Sequence, residues 1–171
     1  MQKLIRFTGG KASWADDAFA NVEDEAEIPA SGGVILSLSR FQAEGEALLP
    51  AGRPVGVRIK SNEEVEGLAY DLPRLALVAL EFPKFRDGRA FSSAMVLRER
   101  YGYVGEVRAV GEVLRMQANF MLRCGFNAFE PSDGATPADF DKAAHLFRHV
   151  YQAAADDRAP AFAERAHGGE A

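Results

Sequence analysis

The chain has one cysteine, Cys124, among its 171 residues. A single cysteine forms no internal disulfide, and it excludes a zinc site built from several thiolates. No uncharged apolar run approaches the roughly 20 residues that a membrane-spanning helix needs. The N-terminus also lacks the apolar core of a signal peptide. Together these absences predict a cytoplasmic protein that does not associate with a membrane.

Several motifs that would identify a chemistry are missing as well. The sequence contains no glycine-rich dinucleotide fingerprint and no phosphate-loop lysine motif. His145 and His149 stand one helical turn apart, but the glutamate of a zinc HExxH motif does not accompany them. The formal net charge is −5 and the pI is near 5.3, which argues against a nucleic-acid partner. The sequence therefore predicts no metal site and leaves the cofactor unknown.

What the chain does have is enough apolar sequence, 47% of its residues, for one well-packed domain. Gly9-Gly10 separates LIRFT from KASW and predicts a small N-terminal β-hairpin outside the main sheet. An acidic, turn-rich stretch follows it and is typical of a linker. We expect the hairpin and linker over residues 1–30, an α/β domain over 31–155, and a disordered tail over 156–171.

Within the α/β domain, short apolar runs alternate with helical patterns. The predicted strands are 34–39, 55–60, 75–82, 105–110 and 126–130. The predicted helices are about 41–49, 61–70, 90–101, 112–124 and 136–155. This alternation predicts an α/β fold with a parallel sheet of about five strands, covered by helices on both faces. The pattern does not decide between an open sheet and a partial barrel.

The chain's positive charge is concentrated in residues 85–129. This segment has seven arginines against four acidic residues, a balance of +3, so the remainder carries −8 to give the overall −5. A positive segment in an acidic protein suggests either an anion site or an ion-paired core.

Polar residues also stand at the carboxyl ends of the predicted strands, where ligands bind in α/β sheets. Arg58 and Arg108 fall on such ends, with Glu81 and Glu106 nearby. We expect a small oxyanion to bind there, between these arginines and the loop 87–92. The alternative is that strand ends are polar simply because they emerge into solvent.

The loop after the third predicted strand contains Asp87, Gly88 and Arg89, followed by Ser92. Asp-Gly favours a turn, and Ser92 near a helix start can donate to an anion. Arg89 could then clamp an oxyanion through two parallel hydrogen bonds. A capped loop with a surface arginine explains the same residues equally well.

The helical patterns place further polar residues on apolar faces. Arg98 lies at the centre of the apolar arc of helix 90–101, so we expect it to be at least partly buried. Its partner is then either a carboxylate, Glu106 or Glu81, or an anionic ligand. Gln117 lies amid the apolar face of the next helix, and Cys124 is interpreted as a core residue there.

Four segments of the chain, FxDGRxFS, LRERYGYxGE, RAxGxVLRxQ and RCGFxAF, resemble a bacterial family known only as a domain of unknown function. Its members are commonly encoded beside the assimilatory sulfite reductase haemoprotein and are sometimes labelled oxidoreductase. Met116 stands where the family usually has aspartate. By motif, the resemblance implies functional roles for Asp87, Arg89, Ser92, Arg98, Glu106, Arg108, Arg115, Gln117 and Arg123.

The resemblance implies a role in sulfur assimilation towards cysteine. We expect an accessory protein of assimilatory sulfite reduction that binds a small oxyanion, the sulfite reductase, or both. The alternative is an oxidoreductase of the same pathway that carries a redox cofactor.

Overall fold

The computed structural model describes residues 3–49, 52–156 and 158–167, and the strands within them form one sheet. In chain order they are β1 (Lys3–Thr8), β2 (Lys11–Asp16), β3 (Phe19–Asn21), β4 (Gly33–Ser37), β5 (Val55–Ile59), β6 (Leu77–Phe82), β7 (Glu106–Gly111) and β8 (Ala128–Phe129). Their spatial order is β2-β1-β8-β7-β6-β5-β4-β3. Strands β3 to β8 are parallel, while β1 is antiparallel to both β2 and β8.

The sheet is open and curled into a half-barrel, which confirms the α/β class and the mostly parallel arrangement. It is larger than the predicted sheet of about five strands. The predicted hairpin exists, but β1 pairs with β8 through Ile5 and Phe129, so the hairpin extends the main sheet. Strand β3 adds an eighth strand, and it lies within the stretch interpreted as a linker.

Five α-helices accompany the strands in the described parts of the chain. They are α1 (Leu38–Leu48), α2 (Arg89–Met95), α3 (Ala118–Arg123), α4 (Pro137–Ala144) and α5 (Ala161–His167). None of them is long and apolar enough to cross a membrane. Helix α5 lies within the predicted tail 156–171, of which residues 157 and 168–171 lie outside the described residues.

Local sequence explains where several helices begin and end. Helix α4 starts as predicted, because Thr136 and Asp139 exchange capping hydrogen bonds ahead of Pro137. It ends at Ala144 rather than near 155, and beyond it Arg158 donates to the backbone carbonyls of Phe147 and Arg148. The predicted helix at 61–70 is a short 3-10 turn, Val65–Leu68, which contains the weak helix former Gly67.

Strands β3 to β8 follow one another in spatial order, so right-handed crossovers place the connecting helices on one face of the sheet. Val57, Val78 and Val107 pack against the helices in the main core. The opposite, concave face has its own small apolar cluster, Ile35, Leu77, Ala79 and Val110, with Phe19 packed against it. The prediction of helices on both faces was therefore wrong: β6 is apolar on both sides because its second face lines the inside of the curl.

The two edges of the sheet are held close at one corner. Strands β2 and β3 occupy opposite edges, yet only Asp17 and Ala18 separate Asp16 from Phe19 in the chain. Three Cα–Cα steps span at most about 11 Å. This short link therefore requires the sheet to curl.

Arg108 of β7 lies inside the curl and is the only charged residue among the described ones to be fully buried, with 0% exposure. Its guanidinium contacts three carboxylates: Asp17 Oδ2 at 2.7 Å, Glu106 Oε1 at 2.8 Å and Glu130 Oε1 at 3.2 Å. The second oxygen of Glu106 accepts from Arg6 at 2.8 Å. The network thus contains two arginines, Arg6 and Arg108, and three carboxylates. The contact between Arg108 and Asp17 connects the β2–β3 link to β7.

The pKa values of this network follow from burial and charge. Burial acts to lower the pKa of Arg108, but hydrogen bonding to Asp17 and the charge of Glu106 outweigh it and raise that pKa. Burial raises the pKa of Glu130, and Arg108 opposes the rise only in part. Arg108 therefore stays charged, and Glu130 is the carboxyl for which ionisation is least favourable.

We predict that Arg108→Met lowers the free energy of unfolding by about 3–5 kcal/mol at pH 7, because three poorly hydrated carboxylates lose their shared cation. The pKa of the Glu130 carboxyl, which burial already raises, should then rise further. The folded variant would bind more protons than the unfolded chain, so its deficit should shrink as the pH falls towards about 4. Urea denaturation at several pH values measures both effects.

The matched control is Arg6→Met, which removes an arginine that is 39% exposed and contacts only Glu106. We expect it to cost about 1 kcal/mol or less. Equal losses for the two variants would contradict a desolvated network centred on Arg108.

Candidate functional site

The structure places the predicted site residues in three separate regions. The inside of the curl holds Arg58, Glu106 and Arg108. The loops at the carboxyl ends of the parallel strands hold Asp87, Arg89, Ser92, Arg115 and Gln117. A cavity at the opposite end of the sheet holds Arg98 and Arg123.

Inside the curl, Arg58 and Arg108 point to the same face, because both are in register with Ala79 of β6. Arg58 Nε donates to Glu81 Oε2 at 3.1 Å. Every guanidinium nitrogen of Arg108 already donates to a carboxylate. The guanidinium nitrogens of Arg108 are therefore already engaged within the protein, although we expected them to bind an oxyanion between the two arginines.

At the carboxyl ends of the strands, Arg89 donates to both oxygens of Asp87, at 3.0 and 2.6 Å, and to Ser61 Oγ at 3.0 Å. The Arg89 guanidinium holds the pKa of the Asp87 carboxyl well below its usual range. Ser92 is exposed on α2. These contacts match the capped loop with a surface arginine that the sequence left open.

Arg115 and Gln117 follow β7 at this same end of the sheet. Arg115 is exposed and lies 3.6 Å from Asp133 and 3.8 Å from Asp139. Gln117 Nε2 donates to the carbonyl of Phe85 at 3.4 Å, which links the two loops. Both side chains thus have protein partners.

The third region is a cavity of about 710 Å³ beside the amino ends of β7 and β8. Its walls come from the end of α3, from the β1–β2 hairpin at Phe7 and Gly10, and from the segment after α4. Four arginines line it, namely Arg98, Arg123, Arg148 and Arg158, together with His145.

Arg98 is positioned by an unusual turn of helix. After α2 the chain widens into a π-helical turn, Val96–Arg100, in which Tyr101 N–H donates to the carbonyl of Val96. Arg98 Nε donates to the carbonyl of Gly125 at 2.9 Å, and Nη1 donates to those of Tyr103 and Gly105. Neither Glu81 nor Glu106 is its partner, so backbone carbonyls replace the expected carboxylate. No described residue accepts from Nη2.

Gly125 makes this arrangement possible. Its φ is +98°, and a Cβ atom there would lie 2.4 Å from Cγ of Arg98. Only glycine lets the chain pass so close to the arginine stem in this left-handed conformation. Burial of the guanidinium lowers the pKa of Arg98, but an arginine stays protonated at neutral pH.

The other three arginines come from α3 and from the segment after α4. Arg123 Nε lies 3.3 Å from Asp156 Oδ2, yet it is buried and makes no hydrogen bond. Arg158 donates to the carbonyls of Phe147 and Arg148. The guanidinium of Arg148 has no acceptor among the described residues.

The cavity is therefore strongly positive within an acidic protein. Four arginines line it against a single carboxylate, Asp156. Concave walls of low polarity concentrate such a field and attract anions. Arginine also donates charge-assisted hydrogen bonds to oxyanions, which are about twice as strong as neutral ones.

Neither a reactive thiol nor a metal-binding cluster is found among the described residues. Cys124 is buried, as predicted, and burial raises the pKa of its thiol to about 11, so it is protonated at neutral pH. In the described ranges, no group of three or more histidine, cysteine, aspartate or glutamate side chains is placed to hold a metal ion.

Sequence reasoning anticipated Arg98 and Arg123 but missed Arg148 and Arg158. Both lie in a stretch that was interpreted as the end of a regular helix and the start of a tail. The signal that could have found them was the occurrence of two arginines and two histidines over 145–158, outside the segment 85–129.

Comparison with known proteins identifies one family. The model of a family described as "Bacterial protein of unknown function (DUF934)" matches residues 56–162. The match covers well over half of the chain. It includes every residue that lines the cavity except Phe7 and Gly10 of the hairpin. No curated protein matches the chain significantly.

We predict that Arg98→Met destabilises the fold by about 2 kcal/mol, because three carbonyl acceptors lose their donor. Thermal or urea unfolding measures the change. The control, Arg100→Met, removes an arginine that is 65% exposed and lies 3.5 Å from Glu66, so it should cost under about 1 kcal/mol. A similar loss of unfolding free energy in the two variants would show that water replaces the Arg98 donors without cost.

Proposed function

Because the chain belongs to the bacterial protein family of unknown function DUF934, we propose that it is an accessory protein of assimilatory sulfite reduction. In this role it binds a small oxyanion, the sulfite reductase, or both. The pathway and the reductase come from the resemblance of its four motifs to a family commonly encoded beside that enzyme. The oxyanion comes from the side chains of the cavity.

The observation that carries the proposal is the arrangement of cations in the cavity. Arg148 has no protein acceptor among the described residues, and Arg98 Nη2 and Arg123 Nε have no hydrogen-bond acceptor there. Only Arg123 Nε among these donors is buried, and burying it without a hydrogen bond costs free energy that a bound anion would recover. Arg148 is exposed, so its guanidinium can reach an anion without first breaking a contact with the protein. Sulfite and sulfate present three or four acceptor oxygens to donors of this kind.

A second candidate function is favoured by the size of the same cavity. About 710 Å³ lies within the usual range for organic ligands, so an organic redox cofactor also fits. The protein would then be an oxidoreductase of the same pathway. An absorbance spectrum and a mass spectrum of the protein purified from its native host separate the two candidates, since a redox cofactor would be detected by one or both.

We predict that sulfite and sulfate bind to the purified protein and that Arg148→Gln weakens binding about tenfold, a loss of about 1.4 kcal/mol. Isothermal titration at fixed ionic strength measures the affinity. Arg100→Gln is the control, because it removes the same charge outside the cavity. An equal loss of affinity in both variants would show that Arg148 acts only through long-range electrostatic attraction.

The partner is tested separately in the native host. We expect tagged protein to recover sulfite reductase, and deletion of the gene to impair growth on sulfate but not on cysteine. If the reductase is never recovered and growth on sulfate is unchanged, the proposed role in sulfite reduction is wrong.

A further inference from the structure

We infer that the cavity binds an organic anion of the nucleoside phosphate class. The inference rests on the oxyanion site of the proposed function and deepens it by naming the ligand class. Its starting point is the volume of about 710 Å³, of which an isolated sulfite or phosphate would fill only a small part. Ligand cavities of this size usually enclose an organic molecule.

Aromatic side chains form part of the wall. Phe7, Phe126 and Phe147 line the cavity beside Leu122. Phe126 is buried, whereas Phe147 is 56% exposed, so its ring can change rotamer to cover a ligand. Arg158 holds the backbone at this point, since it donates to the Phe147 carbonyl at 2.7 Å. Rings placed in this way favour a flat heterocycle, which stacks on any aromatic face.

Two asparagine side chains in the wall have amide groups whose orientation is set by hydrogen bonds to the backbone. Asn119 Nδ2 donates to the carbonyl of Ala143 at 2.9 Å, and Asn127 Oδ1 accepts from Val107 N–H at 2.8 Å. A carbonyl can only accept and an N–H can only donate, so both amides are fixed. Asn119 Oδ1 and Asn127 Nδ2 then remain as one acceptor and one donor without partners among the described residues.

A nucleobase edge carries both donors and acceptors, so it can pair with an acceptor and with a donor of the wall. Neither atom is buried without a partner, so both are open to the cavity or to solvent. A bare oxyanion has no donor for Asn119 Oδ1. The same wall also carries the arginines that would hold a phosphate group. Arg148 has no protein acceptor among the described residues, whereas Arg123 already lies beside Asp156 and donates to the carbonyl of Gln152.

The test compares ligands that differ in one part at a time. We would titrate the full-length protein with the four nucleoside 5′-monophosphates, ribose 5-phosphate and inorganic phosphate, at one ionic strength. At least one nucleotide should bind ten times more tightly than ribose 5-phosphate. Arg148→Gln should weaken the binding of that nucleotide and of phosphate alike.

Phe147→Ala tests the contribution of the aromatic ring to binding separately from that of the arginine charges. It should weaken nucleotide binding about tenfold and leave phosphate binding unchanged. The control is Phe162→Ala, which removes an aromatic ring that is 71% exposed on α5 and does not line the cavity. Melting temperatures of both variants verify that they fold.

If no nucleotide binds more tightly than ribose 5-phosphate, the inference of a base-binding wall is overturned, while the oxyanion proposal stands if phosphate or sulfite binds. If Phe147→Ala has no effect on nucleotide affinity, the assignment of the ring is overturned. If no anion binds at all, both the inference and the oxyanion site fail, and recovery of the reductase alone decides the proposed role.

Discussion

The buried charge of Arg108 constrains the rest of the sheet. A guanidinium without solvent contact is tolerated only when hydrogen-bonding partners surround it. Glu106 stands on the same strand, whereas Asp17 in the β2–β3 link and Glu130 just after β8 come from other parts of the chain. Because each carboxylate must reach the same point, the network fixes how far the sheet curls and where its first and last strands lie.

The two ends of the sheet differ in how their arginines are paired. In α/β sheets, ligands usually bind at the carboxyl ends of the strands. At the carboxyl ends of this sheet, arginines are paired with acidic side chains. Arg58 on the concave face pairs with Glu81, and Arg89 in a loop pairs with Asp87. Cations without such partners, above all Arg148, occur at the amino ends of β7 and β8. The cavity at that end depends on segments outside the repeating β–α units, the hairpin and the stretch after α4.

Much of the fold could be predicted from local patterns, since the five predicted strands correspond to β4–β8. Strand β3 could not, because three residues in an acidic stretch carry no periodic signal, and their pairing with β4 is a tertiary contact. The position of Arg98 depends on a π-helical turn, whereas an ideal helix of 100° per residue only indicates burial. Its carbonyl partners, and the cavity beside it, result from tertiary contacts that no short sequence pattern encodes.

The pairing of β1 with β8 has a consequence for the order of folding. Arg6 and Ala128 are neighbours in the sheet, although more than a hundred residues separate them in the chain. During synthesis the hairpin leaves the ribosome long before its partner strand exists. Contacts of such high sequence separation slow folding and leave strand edges unpaired in the meantime. The nascent chain is therefore most prone to association just before residue 129 emerges, and docking of the hairpin completes the domain.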